Sequence, residues 1–145
     1  MTVSQRFPAD VALLSAARRF AQEAVRPACA DEDFLYDLAL AVDEAMTNVI
    51  VHGYRGAPGE ITIEINPGAA SVAVILIDQA PPFNPQNAPA PDTSLPLELR
   101  KPGGFGIAFI RELTDEMVYS SGEPDGNRLT LIMHYPPAAR GEATE

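Results

Sequence analysis

The chain has 145 residues, 46% of them hydrophobic and 21% charged, which suits one globular domain with a real core. Its net charge of −10 opposes direct binding to nucleic acid or anionic lipid. Cys29 is the only cysteine, so neither an intramolecular disulfide nor a cysteine-based metal site can form, and no apolar run approaches a membrane span or a signal-peptide core. A soluble, cytoplasmic chain is therefore expected.

Pro8 and Asp10 supply a helix start and Pro27 a stop, and between them Leu13, Ala17, Phe20 and Ala24 recur at helical spacing. A second helix is predicted over residues 33–52. Asp31, Glu32 and Asp33 place negative charge at its N-terminus, Leu35, Leu38, Val42, Ala45 and Val49 form its buried stripe, and Gly53 is its expected C-cap. Residues 60–66 alternate with Ile61, Ile63 and Ile65 on one face. Residues 71–78 are more continuously apolar, and Pro67-Gly68 between the two runs predicts a hairpin. Half of the prolines fall within residues 81–102, which reads as an irregular binding loop or lid. A third helix is predicted from near Gly106 to near Asp115, then strands over 117–121 and 127–135 joined by the turn Glu123-Pro124-Asp125-Gly126. Hairpins dominate, so the predicted fold is α+β: a two-layer sandwich of a mostly antiparallel mixed sheet with helices on one face. One domain is expected over residues 1–136, followed by a loose tail over 137–145.

Three local patterns carry chemistry. Glu44 and Asn48 lie one turn apart on the second helix, on a stripe shared with Asp37 and turned away from the centre of the apolar face. A carboxylate and an amide oxygen so stacked can orient water and a hard cation such as Mg²⁺, although a solvated polar face looks the same. Asp78 closes an apolar strand and can accept a hydrogen bond from an exocyclic amine, or can simply mark the strand end. Gly103-Gly104-Phe105-Gly106, entering a helix, can let backbone amides approach an anion or can serve as a hinge. The run is neither a P-loop, since no Gly-Lys-Ser/Thr exists, nor a dinucleotide fingerprint. Arg100 and Lys101 beside it can reach phosphates or stay solvated. His52 and His134 read as structural.

Taken together the patterns resemble the GHKL ATPase superfamily, and within it the anti-sigma regulatory serine/threonine kinases. Leu40 through Tyr54 looks like their N box, Asp78-Gln79-Ala80-Pro81-Pro82-Phe83-Asn84-Pro85 like their G1 box, and Gly103 through Ile110 like their G2 box. The stretches beginning at Asp115 and Asn127 look like their closing strands. The resemblance implies the histidine-kinase-like ATPase fold, with Glu44 as general base, Asn48 as Mg²⁺ ligand, and Asp78 on the adenine amine. It also implies that Thr130 assists at the adenine and that Gly103, Gly104, Gly106 and Ile107 lie along ATP. Ala80 and the Pro81-Pro82 pair stand where the family's G1 box has glycines, so the adenine pocket depends on whether Ala80 adopts a negative φ. The implied partners are an anti-sigma-factor antagonist that becomes phosphorylated and a sigma factor that is sequestered, with the kinase a homodimer. The rival function is a nucleotide-dependent protein-binding regulator without useful kinase activity.

Overall fold

In the computed structural model, residues 1–82, 110–122 and 126–137 are described. The first element is a strand, β1 (Val3–Pro8), which the sequence reading did not anticipate. Only Phe7 in it is buried, so β1 shows no clean alternation. What makes it a strand is antiparallel pairing with β2 (Glu60–Pro67), from Val3 opposite Ile65 to Pro8 opposite Glu60. Such a tertiary cause leaves little local trace.

Asp10 then caps a short 3₁₀ turn, Val11–Leu13, its carboxylate accepting from the Ala12 N–H at 2.9 Å. The turn leads into α1 (Leu14–Val25). Its fully buried residues are Ala17, Ala21 and Val25, so the buried stripe is rotated from the predicted one, and Leu13, Phe20 and Ala24 sit half-buried at its margin. Small residues at the centre of the stripe allow α1 to approach α2 (Glu32–Asn48) closely. Asp31 caps α2 by accepting from the Phe34 N–H at 2.9 Å, and Glu32 and Asp33 favour the positive end of the dipole.

The predicted end of this helix is corrected by the structure. Regular α winding stops at Asn48, and the chain continues as a π-helical turn, Val49–Tyr54, closed by Arg55 in the left-handed region at φ 55° and ψ 40°. Gly53 is therefore not the cap. It is buried inside the wider turn, and a Cβ built there would lie 3.1 Å from the Ala80 Cβ. The glycine serves close approach between two segments, and π turns of this kind recur at functional sites.

The sheet runs β1-β2-β3-β5-β4, every neighbouring pair antiparallel, with β3 at Ser71–Asp78, β4 at Glu116–Ser120 and β5 at Asn127–His134. Ile61, Ile63 and Ile65 point to one face, as predicted, joined there by Val72, Val74, Leu76, Leu129, Leu131 and Met133. Leu35, Leu38, Val42, Ala17 and Ala21 cover that face in one core cluster. The result is the predicted α+β sandwich. The Pro67-Gly68 turn closes through the Gly68 N–H on Ser71 O at 2.7 Å. Residues 110–113 are helical, and the Thr114 N–H reaches Ile110 O at 3.1 Å. The start of that helix, residues 83–102 of the predicted lid, residues 123–125 of the last turn and residues 138–145 of the tail lie outside the described residues. Among the described residues, no helix is long and apolar enough to cross a membrane.

Candidate functional site

The end of α2 carries the first half of the site. Asn48 is buried, and its amide Nδ2 donates to the Glu44 carbonyl at 2.8 Å. Among the described residues, Asn48 Oδ1 is buried with no hydrogen-bond partner. Buried polar atoms are nearly always paired, and each exception needs an explanation. A hard oxygen, desolvated and uncommitted, has the chemistry of a Mg²⁺ ligand. Asn48 therefore fits the ion that the sequence reading assigned to it. One turn earlier, Glu44 is half-buried, and its carboxyl is raised above the ordinary 4.5 by desolvation first and by the neighbouring Asp43 second. Asp43 itself forms an ion pair with Arg18 that ties α1 to α2.

The second half lies at the end of β3. Asp78 is buried on the same sheet face as Leu76 and Val74. Its Oδ1 accepts from the Ala80 N–H at 2.9 Å and from Asn127 Nδ2 at 2.8 Å. Desolvation raises the Asp78 carboxyl above 3.8, while these two donors pull it back toward the ionised form. Both bonds fall on one oxygen, which leaves Oδ2 for a ligand donor. Ala80 has no positive φ, so a side chain is accommodated where the resembling family has glycine. Its carbonyl also accepts from Asn127 Nδ2, at 2.8 Å.

The halves meet through the π turn. Gly53 packs on Ala80, and Tyr54 bridges three segments: its hydroxyl donates to Glu60 O at 2.7 Å and accepts from the Gln79 N–H at 3.1 Å. The Tyr54 ring also lies over Gly59, where a Cβ would come within 2.2 Å of the ring.

Of the sequence-predicted residues, the structure thus positions Glu44 and Asn48 on one stripe and brings the end of their helix against the Asp78 turn. Thr130 is not brought there. It is half-buried on the opposite face of the sheet, beside Ile75 and Val118 in the strand register. The β5 residue at Asp78 is Asn127, its register partner, buried and on the inner face. Sequence reasoning missed Asn127 because the pairing of β3 with β5 is non-local. The available signal was an amide at the first position of the strand after a turn glycine. Gly103, Gly104, Gly106 and Ile107 lie outside the described residues, as do Arg100 and Lys101. Among the described residues, no group of three or more His, Cys, Asp or Glu could hold a metal ion.

Comparison with protein-family models matches residues 7–133 to the histidine kinase-like ATPase domain. Among curated proteins, serine/threonine-protein kinase BtrW of Bordetella bronchiseptica is 29% identical over 104 residues, covering 70% of this chain and 72% of the relative. Serine-protein kinase RsbW of Bacillus mycoides is 28% identical over 89 residues, covering 59% of this chain and 56% of the relative, and RsbW of Bacillus cereus gives the same figures. The aligned region thus spans little more than half the length of the RsbW relatives.

Proposed function

The chain belongs to the histidine kinase-like ATPase domain family, and on that premise we propose that it is an ATP-dependent serine/threonine protein kinase acting as an anti-sigma factor in a bacterial partner-switching system. It would phosphorylate an antagonist protein and sequester a sigma factor. The relatives' names as serine or serine/threonine kinases support the reaction class. The observation that carries the reading is the orphaned, buried Asn48 Oδ1, one turn from a half-buried carboxylate.

Asn48 would hold Mg²⁺ through Oδ1, and the ion when bound supplies positive charge to the phosphates. Asp78 Oδ2 would accept the adenine amine. Gly103, Gly104, Gly106 and Ile107 would line the phosphates. Glu44 would take the proton from a Ser or Thr hydroxyl of the antagonist as that oxygen bonds to the γ-phosphorus. The bond from the γ-phosphorus to the β-phosphate oxygen breaks, and ADP leaves. Burial suits Glu44 to this, since a raised carboxyl is a stronger base once ionised. Positioning and electrostatics carry most of the rate in phosphoryl transfer. The reading includes a homodimer in the cytoplasm, where a sigma factor is met.

The test is transfer of label from γ-labelled ATP to antagonist proteins encoded nearby. Transfer that needs Mg²⁺ and fails in Asn48→Ala is the expected result. ATP and partner binding with no transfer to any antagonist would replace the kinase with a nucleotide-dependent binding regulator.

A further inference from the structure

We propose that Asn127 and Tyr119 are positioning residues that hold Asp78 as a hydrogen-bond acceptor and so make the site select a 6-amino purine over a 6-oxo purine. The inference rests on the reading of Asp78 as the group that meets the nucleotide base, and it extends that reading to two side chains on other strands.

The three residues come from three adjacent strands. Asp78 ends β3, Asn127 opens β5 directly opposite it, and Tyr119 stands on β4. The Tyr119 hydroxyl donates to Asn127 Oδ1 at 3.0 Å. Asn127 Nδ2 donates to Asp78 Oδ1 and to the Ala80 carbonyl, each at 2.8 Å. A carboxamide has one donor end and one acceptor end, so its orientation decides what its neighbours must be. Turned around, Asn127 would set its own oxygen against a carboxylate and a carbonyl at a buried position, two acceptor–acceptor contacts without compensation. The Tyr119 hydroxyl donates to the oxygen end and so reinforces the observed orientation.

The consequence reaches the ligand side. With Asn127 so turned and the Ala80 N–H also donating, Asp78 Oδ1 receives two donors. Both favour the ionised carboxylate, whose Oδ2 can then only accept. Such an oxygen pairs with the N–H of an exocyclic amine and repels a carbonyl oxygen in the same place. Backbone geometry keeps the row tight. Gly126, just before Asn127, has φ 78°, and a Cβ there would lie 2.4 Å from Asp78 O, so only glycine lets the β5 start close on the end of β3.

The test compares ATP with inosine triphosphate, which carries a carbonyl in place of the amine, by calorimetric titration of the full chain with Mg²⁺. Wild type should prefer ATP by about 10- to 100-fold, the range for one charge-assisted hydrogen bond. In Asn127→Leu the preference should fall to within about threefold, with far-UV circular dichroism unchanged. Tyr119→Phe, which removes only the hydroxyl, should lower the preference in the same direction. A purely structural role would weaken both nucleotides alike and leave their ratio intact. An unchanged ratio in the two folded variants overturns the proposal while leaving ATP binding standing. If Asn127→Leu does not fold, an unchanged ratio in Tyr119→Phe alone overturns it. A wild type that binds neither nucleotide overturns both this proposal and the nucleotide reading beneath it.

Discussion

Asn48 combines one satisfied and one orphaned polar group within a single side chain, and the two halves make opposite demands on stability. Its Nδ2 bond to the Glu44 carbonyl contributes, while burying Oδ1 unpaired costs about 1–3 kcal/mol. Asn48→Ala removes both terms. The folded protein should therefore change in stability by no more than about 1 kcal/mol in either direction, although a buried residue is truncated. Mg²⁺-dependent ATP affinity should be lost in the same variant, so denaturant unfolding beside titration with and without Mg²⁺ checks both halves. A large destabilisation would mean that Oδ1 has a partner in the folded chain. At Glu44 the group at stake is a proton. Glu44→Gln keeps the shape and removes the base, so phosphoryl transfer should fall by about 10²–10⁴-fold with little change in ATP affinity. The wild-type rate should rise with pH along an acid limb displaced above 4.5, because burial and Asp43 both raise the carboxyl and the base exists only above its folded pKa. An acid limb at or below that value would remove Glu44 from the role.

At the scale of elements, the π turn ties the site together. It sets Gly53 on Ala80 and hangs Tyr54 between Glu60 and Gln79. Gly59→Ala should show how much this brace matters. The new methyl would lie 2.2 Å from the Tyr54 ring, too close to be absorbed without moving it. A cost of about 1–3 kcal/mol is expected, as for other overpacked sites, together with weaker ATP binding as the Gln79 contact shifts. Urea unfolding and titration of this one variant test both, and a neutral result would show that Tyr54 swings away freely. The same segment shows what a sequence can tell. The placement of Glu44 and Asn48 on one helix stripe and of Asp78 at a strand end was legible because helix spacing and strand ends are local properties. The Ile61, Ile63 and Ile65 face was legible because alternation is local too. The end of α2 was misread because Gly53 resembles a C-cap, whereas its missing side chain serves contact with Ala80, a residue distant in sequence. Likewise, β1 and Asn127 owe their roles to pairing across the sheet, and Thr130 was displaced to the outer face by the register of β5.

For the whole molecule, the proposed site would trade folding stability for readiness to bind. Asp78 and Glu44 both have carboxyls raised by burial, so the folded state holds their protons more tightly than the unfolded chain does. Their favourable contribution is full below the unfolded values of 3.8 and 4.5 and is lost as pH rises through the folded ones. On the proposed reading, burial disfavours the ionised Asp78 in the apo protein, and the adenine amine of a bound nucleotide would repay that cost at Asp78. Asp78→Asn isolates this trade. Its amide oxygen can still accept from the Ala80 N–H and Asn127 Nδ2, with no buried charge. At pH 7 the apo variant should melt at or above the wild-type temperature, and the difference should close as the pH falls to 3.8 and Asp78 is protonated in the wild type. Ligand should reverse the order. ATP at a hundred times its Kd adds about 2.7 kcal/mol to the wild type, or about 5–10 °C for a domain of this size. In Asp78→Asn an amide N–H would face the adenine amine, donor against donor, so Mg-ATP should raise its melting temperature far less. Thermal melts of both proteins at two pH values, with and without Mg-ATP, decide the matter. If Asp78→Asn keeps the full ATP-dependent shift, the Asp78 carboxylate is not the acceptor of the base. If it melts well below wild type at pH 7 without ligand, the charge is repaid within the folded chain and the trade does not exist.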